Sequence, residues 1–195
     1  LRRQMYGGHD RRGLRKPLIL LTPKSLLRHP KAVSPLKDFT QGGFLPVLGD
    51  HTKEPTDRVN KVLFCSGKVY YDLLEARKQR DATNVAIIRL EQFYPWPADD
   101  IEKMLWRYPS TADVVWVQEE PRNMGGWSFV RDRLQPLLDQ TRRTLLYAGR
   151  LESASPAAGS LKRHSQEQAG LIEDAFTTGT VRRRGYRVVA RRKED

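Results

Sequence analysis

Short apolar runs alternate along this chain with stretches in which apolar residues recur every third or fourth position. The runs are Leu18–Leu21, Phe44–Leu48, Val62–Cys65, Val85–Leu90, Val114–Val117 and Leu145–Tyr147. Each is of strand length and rich in strand-forming side chains, so six strands are predicted. Between them the periodicity is helical. Tyr70 to Arg80 carries Leu73, Leu74 and Ala76 with a charged opposite face, and Ile101, Met104, Leu105 and Tyr108 fall on one helix face. Trp127, Val130, Leu134, Leu137 and Leu138 make a second stripe, and Leu161 to Phe176 a last helix through Leu161, Gln168, Ile172 and Ala175. Alternating strands and helices of this length predict an α/β layer with a mainly parallel sheet. Val62–Cys65 is apolar without interruption, as a central strand covered on both faces must be.

Polar, turn-rich stretches separate these elements. Asp50–Asp57 and Ser153–Ser160 read as loops, and Phe93-Tyr94-Pro95-Trp96-Pro97 as an aromatic turn that packs under a lid or across an interface. Helical periodicity stops after Phe176, so 177–195 reads as a poorly ordered extension, with Arg187-Val188-Val189-Ala190 as a potential short edge strand. The absence of Met at position 1 points to a fragment of a longer polypeptide.

Charge sharpens this division. The net charge is +12, yet it sits in the flanks. Residues 1–31 hold nine Lys/Arg against one acid and residues 181–195 seven against two, whereas the stretch between is nearly neutral. Basic flanks admit nucleic-acid or membrane-surface contact, but solvated charge or an acidic partner explains them as well. The tail Arg182-Arg183-Arg184-Gly185-Tyr186-Arg187 lacks the repeated aromatics of a base-stacking segment. Nucleic acid is therefore disfavoured as a partner. No apolar run approaches the ~20 residues of a membrane helix, and no secretory signal is visible. A lone cysteine, Cys65, excludes an intrachain disulfide and a Cys-rich zinc site.

Candidate chemistry is sparse. The sequence has no Gly-x-Gly-x-x-Gly after a strand, no phosphate loop ending in Gly-Lys-Ser/Thr and no Gly-x-Ser-x-Gly elbow, and its four histidines show no metal spacing. Thr22–Lys31 follows an apolar run; Lys24, Arg28, His29 and Lys31 could hold a phosphate at a helix N-terminus, or simply be the solvated first turn. Ser66-Gly67-Lys68 follows Val62–Cys65 at the strand edge where α/β proteins bind ligands, although a plain turn using the backbone freedom of Gly67 explains it as well. Cys65 reads as a buried small residue, since no His stands ready to activate it. In Gln118–Trp127, Glu119 and Glu120 show no acid–base partner and Asn123 is an N-cap candidate for the following helix. The pair Gly125-Gly126 would let another backbone approach closely.

Taken together and in order, several strings carry a family resemblance. They are Leu1-Arg2-Arg3-Gln4, Arg15-Lys16-Pro17-Leu18-Ile19, Thr22–Pro30, Pro46–Asp50, Cys65-Ser66-Gly67-Lys68 with Tyr70, Arg89–Pro95, Gln118–Trp127 and Ala154–Gly159. Across 1–4 and 15–176 the chain resembles the C-terminal domain of the thiamine-dependent first components of 2-oxoglutarate dehydrogenases. The resemblance implies a transketolase-like domain: a three-layer α/β/α sandwich around a five-stranded, mainly parallel mixed sheet. Residues 1–14 would be the link from a preceding pyrimidine-binding domain, 15–176 the domain itself and 177–195 a basic, disordered tail.

The resemblance also implies an activity that belongs to the whole enzyme. There, thiamine diphosphate and Mg²⁺ sit on preceding domains, 2-oxoglutarate is decarboxylated, and the succinyl group passes to the lipoyl arm of an acyltransferase component, in a bacterial cytoplasm or mitochondrial matrix. This segment would complete the homodimer without being catalytic itself, and would take an adenine nucleotide or acetyl-CoA as effector. By position, Arg2, Arg3, Lys24 and Arg28 are the candidates for the effector phosphates. Residues 5–14 are longer and richer in Gly and Arg than the family's link, and the basic tail is an addition to it. Two other readings remain: a free-standing nucleotide- or CoA-binding module, and a basic nucleic-acid-binding module.

Overall fold

The computed structural model describes residues 19, 21, 22, 24–50 and 55–177. Two units are distinguished, Leu1–Gln41 and Gly42–Asp195. In the second, a five-stranded sheet has the order β1-β3-β2-β4-β5. Its strands are β1 (Val47–Leu48), β2 (Lys61–Cys65), β3 (Val85–Leu90), β4 (Asp113–Pro121) and β5 (Leu145–Arg150). β2 pairs in parallel with β3 and β4, and β4 with β5, whereas β1 runs antiparallel along β3 with Val47 opposite Leu90. The mixed, mainly parallel sheet implied by the resemblance is present.

Strand alternation feeds two cores, one on each face of the sheet. Val62 and Phe64 of β2, Ala86, Ile88 and Leu90 of β3, and Val114 and Trp116 of β4 point to one side. Leu63, Cys65, Val85, Ile87, Val115 and Val117 point to the other side. The helices in this unit are α2 (Val69–Gln79), α3 (Ala98–Leu105), α4 (Trp127–Asp139) and α5 (Leu161–Thr177), with α1 (Leu36–Thr40) assigned to the first unit. Ile101 and Leu105 of α3 and Val130, Leu134 and Leu138 of α4 cover the first face. Val69, Leu73 and Ala76 of α2 and Leu171, Ile172 and Ala175 of α5 cover the second. The result is three layers, helix on sheet on helix.

Two polar contacts finish the sheet. β1 is only two residues long, so much of β3 lacks a neighbour on that side. Asp50 supplies one: its carboxylate accepts the Ile87 N–H at 2.9 Å and pairs with Arg77 of α2, which also donates to the Val85 carbonyl at 3.2 Å. This satisfies backbone groups that would otherwise stand open at an edge. At the start of β2, buried Lys61 donates to the Phe176 carbonyl in the last turn of α5, a position where a cation complements the helix dipole. Burial lowers the Lys61 pKa and the neighbouring Asp113 charge opposes that shift.

Several expectations need correction. Leu18–Leu21 is not a strand where described: Ile19 and Leu21 carry no regular structure and are 85% and 99% exposed. An apolar run alone makes no strand without a neighbouring edge to bond to. Phe44–Leu48 contracts to Val47–Leu48, because only these residues pair with β3. Asp50 does open the expected loop, and its side chain, 6% exposed, is the edge anchor just described. Leu161, placed on the inner stripe of the last helix, is 80% exposed at its first position, and Leu171 is buried instead. The segments 1–14 and 178–195 lie outside the described residues.

Leu134 has no exposed surface, whereas Leu151 is 88% exposed. Leu134→Ala should destabilise the chain by about 2–5 kcal/mol through lost burial and the cavity left behind. Leu151→Ala should stay within about 0.5 kcal/mol of the parent. Urea midpoints at equal slope measure both.

Candidate functional site

Adjacent parallel strands whose following helices lie on opposite faces create a crevice at their carboxyl ends. β2 and β4 are such a pair, since α2 covers one face and α4 the other. The turn after β2 is Ser66-Gly67-Lys68, with Gly67 at φ +74°, so the glycine does supply the backbone freedom the turn requires. Lys68 then points at the end of β4, where its ammonium lies 2.6 Å from Glu119 and 3.3 Å from Asp72 of α2. From α5, the Gln168 amide donates to Glu119 at 2.9 Å and to Asp72 at 2.8 Å. Its oxygen accepts from Arg150 at 3.3 Å.

Arg150, at the end of β5, also meets His164 at 3.0 Å and stands 3.5 Å from Glu167, which Arg163 holds at 2.7 Å. Charge thus runs continuously from the end of β2 to α5. Desolvation depresses the Lys68 pKa, yet hydrogen bonding and charge from Glu119 with the charge of Asp72 outweigh it, and the net shift is upward. Glu119, which showed no partner in the sequence, has one in Lys68. The partner is out of sight in sequence because parallel pairing of β2 with β4 is what joins them.

Beside this network the Gln118 side chain organises the turn from β4 into α4. It is 3% exposed. Its oxygen accepts the Trp116 indole N–H at 2.9 Å and the Trp127 backbone N–H at 3.0 Å. Its amide donates to the carbonyls of Glu120, Pro121 and Met124 at 3.2, 3.1 and 2.8 Å. Gln118 therefore does for α4 what Asn123 was expected to do. Asn123 instead exchanges two hydrogen bonds with the Ser153 backbone, at 3.0 and 3.1 Å, and ties two loops together. The glycines in this turn admit side chains rather than another backbone. A Cβ on Gly126 would come within 2.7 Å of the Phe93 ring, and Gly125 has φ +67°.

Nearby aromatics complete this edge. Tyr147 donates its hydroxyl to the Arg150 carbonyl at 3.2 Å, and burial pushes its pKa up to about 12. Arg122 lies over the rings of Trp127 and Tyr147. Cys65 is fully buried, donates weakly to the Ile88 carbonyl at 3.8 Å, and has its pKa raised by burial. A thiol held neutral in this way is no nucleophile.

The candidates for phosphate binding lie in the other unit. Arg2 and Arg3 fall outside the described residues. Lys24 opens a single 3-10 turn, Lys24–Leu26, and Arg28 lies in the bend that follows, both exposed. His29 accepts the Lys31 N–H at 3.2 Å. The expected α-helix after Thr22 is thus replaced by a three-residue turn, which is too short to develop a dipole. Among the described residues no three His, Cys, Asp or Glu side chains are grouped to hold a metal ion, and no helix is long and apolar enough to cross a membrane.

Comparison with known proteins gives one consistent result. The family model for the 2-oxoglutarate dehydrogenase C-terminal region matches residues 33–176. The chain is 47% identical over 176 residues to the 2-oxoglutarate dehydrogenase E1 component of Cupriavidus necator, covering 90% of this chain and 18% of that protein. The E1 component of Haemophilus influenzae is 46% identical over 166 residues, covering 85% and 18%. The mitochondrial 2-oxoglutarate dehydrogenase of Caenorhabditis elegans is 43% identical over 178 residues, covering 89% and 17%. The chain thus spans less than a fifth of the length of these relatives.

Replacing Gln118 by Leu should cost about 1–3 kcal/mol for each buried donor left without an acceptor, at Trp116 and at Trp127. Urea unfolding measures the loss, and a changed near-ultraviolet tryptophan circular dichroism locates it. For Lys68 the raised pKa sets the sign. Its ion-pair contribution is full below the ordinary lysine range near pH 10.5 and fades as pH rises through the raised folded value. The stability difference between the parent and Lys68→Met should therefore be constant near neutrality and shrink above about pH 10.5, as read from unfolding midpoints across pH.

Proposed function

The chain belongs to the 2-oxoglutarate dehydrogenase C-terminal family, and we propose that it is the C-terminal domain of an E1 component that decarboxylates 2-oxoglutarate and transfers succinyl to a lipoyl group. In that whole protein, thiamine diphosphate and Mg²⁺ supply the carbanion chemistry from the preceding domains, and the partner is a lipoyl acyltransferase. The location is a bacterial cytoplasm or a mitochondrial matrix. The domain's own task is to build and hold the dimer rather than to touch substrate.

One observation supports this division of labour. At the β2/β4 crevice, where an α/β domain of this topology would bind a ligand, Lys68, Glu119, Asp72 and Gln168 answer one another. A crevice filled by mutually satisfied side chains is a structural joint. Charges that could instead act on a ligand stand in the first unit, where Lys24 and Arg28 are exposed and make no ion pair with a described residue.

We also propose an effector site. Arg2, Arg3, Lys24 and Arg28 bind the phosphates of an adenine nucleotide or acetyl-CoA. What supports it is the family resemblance and a segment, 24–41, with four Lys/Arg against one Asp. Attraction there comes from side-chain charge, since no helix N-terminus contributes.

Two measurements test these statements. The full-length protein should release CO₂ from 2-oxoglutarate only with thiamine diphosphate and Mg²⁺, and Glu119→Gln should keep kcat within about threefold because Glu119 touches no substrate; loss of about a thousandfold would place it in the chemistry. In titration calorimetry with acetyl-CoA and with AMP, Lys24→Ala and Arg28→Ala should each weaken binding about tenfold, the equivalent of roughly 1.4 kcal/mol for one charge-assisted contact. Unchanged affinity removes these residues from the site.

A further inference from the structure

Where the chain enters the second unit, three large apolar side chains stand in water. Phe44 is 53% exposed, Leu45 58% and Tyr94 75%. Tyr94 is far in sequence from the adjacent Phe44 and Leu45, but the three share one corner. The Pro46 carbonyl accepts the N–H groups of both Glu91 and Gln92, at 2.9 and 3.1 Å, and Val47 lies opposite Leu90. Phe44 and Leu45 therefore run alongside the turn that carries Tyr94 at the carboxyl end of β3.

The corner is built on a stiff base. The Gln92 side chain bonds to the Pro95 carbonyl at 2.8 Å and closes the turn. Beneath it, Phe93 meets Trp116 and Phe129 edge-on with centroids 6.1 Å apart, and Trp96 meets Phe129 at 6.0 Å. An exposed aromatic ring on a turn anchored by half-buried ones packed on the core loses little conformational freedom when it is covered. Scattered single apolar residues need no explanation, but a group of three on a rigid platform marks a contact surface.

Resting on the reading above, that this chain is one part of a longer E1 polypeptide, we propose that the Phe44–Leu45–Tyr94 corner docks an apolar surface of the domain that precedes it in the same polypeptide. The relatives carry more than four-fifths of their length outside the aligned region, and the matching family is their C-terminal part. The second unit begins at Gly42, two residues ahead of Phe44. Covalent linkage holds that domain at a raised effective concentration at the corner. A separately diffusing partner has no such advantage.

Nitration of Tyr94 by tetranitromethane, followed by peptide mass spectrometry, tests this on the full-length protein. Tyr94 should react at least tenfold more slowly than an exposed tyrosine amide, at every protein concentration. Phe44→Glu should restore at least most of the reactivity, whereas Leu151→Glu, at an exposed position away from the corner, should leave the protection intact. Should Phe44→Glu fail to fold, the concentration series with the unsubstituted protein decides alone. Full reactivity of Tyr94 overturns the proposal. So does protection that vanishes on dilution, which would give the cover to a second copy. The same samples are assayed for 2-oxoglutarate decarboxylation: a reactive Tyr94 in an active enzyme sinks the docking surface and leaves the E1 reading standing, whereas an inactive protein counts against the reading itself.

Discussion

One buried amide holds the working end of this fold together. Gln118 follows the apolar run Val114–Val117 of β4, just before the strand ends, turns, and launches a helix back across the sheet. Each polar atom of its side chain is used: the oxygen by the Trp116 indole and the Trp127 N–H, the nitrogen by three carbonyls of the turn. In a buried site an unanswered polar group costs about as much as several good contacts return. Full satisfaction is thus the condition for placing an amide there at all. Once it is met, the direction of α4, the fit of Gly126 under the Phe93 ring and the edge-on contact of Phe93 with Trp116 all follow.

The same turn delivers Glu119 to Lys68, so the buried amide and the half-exposed ion network are consecutive consequences of one strand end. Their energetics differ. Surface ion pairs are screened and contribute little individually, while the Lys68 cluster is partly desolvated and shares Gln168 between two carboxylates. Its value lies in fixing α5 against the ends of β2 and β4. Arg150 extends the tie to β5. At the ends of β2 and β4, Lys68, Glu119, Asp72 and Gln168 answer one another, and the joint is made by their mutual contacts.

Periodicity was enough to read the four strands from Val62 onward and the four helices between and after them, because each buries a continuous face and burial imposes the pattern. It failed where the outcome depends on a neighbour. Leu18–Leu21 and Phe44–Leu48 have the composition of strands, yet pairing decides strand formation, and only Val47 and Leu48 find β3. Asn123 has the chemistry of a cap but lies too early, and Gln118, nine residues ahead of Trp127, reaches the helix by folding back over the turn. The Lys68–Glu119 pair spans 51 residues, so no local window could reveal it. Among the phosphate candidates, Lys24 and Arg28 are marked by the basic cluster after an apolar run and Arg2 and Arg3 by resemblance alone, and the charge pattern of the first unit is compatible with them without singling them out.

The distribution of exposed apolar surface argues against self-sufficiency from another direction. Within 19–41, Ile19, Leu21, Leu27, Val33, Leu36 and Phe39 are each at least 74% exposed, and no described residue of that stretch is buried. A segment with this composition is too apolar to be a solvated linker and too short to bury its own side chains. Hydrophobic burial is the main favourable term in holding any such segment in one conformation, so its structure must come from a surface that these residues alone do not form. By contrast, the unit beginning at Gly42 closes both faces of its sheet and confines its exposed apolar groups to a few positions. A domain that is complete in its core and incomplete at the end where the chain arrives is built to be one part of a larger molecule.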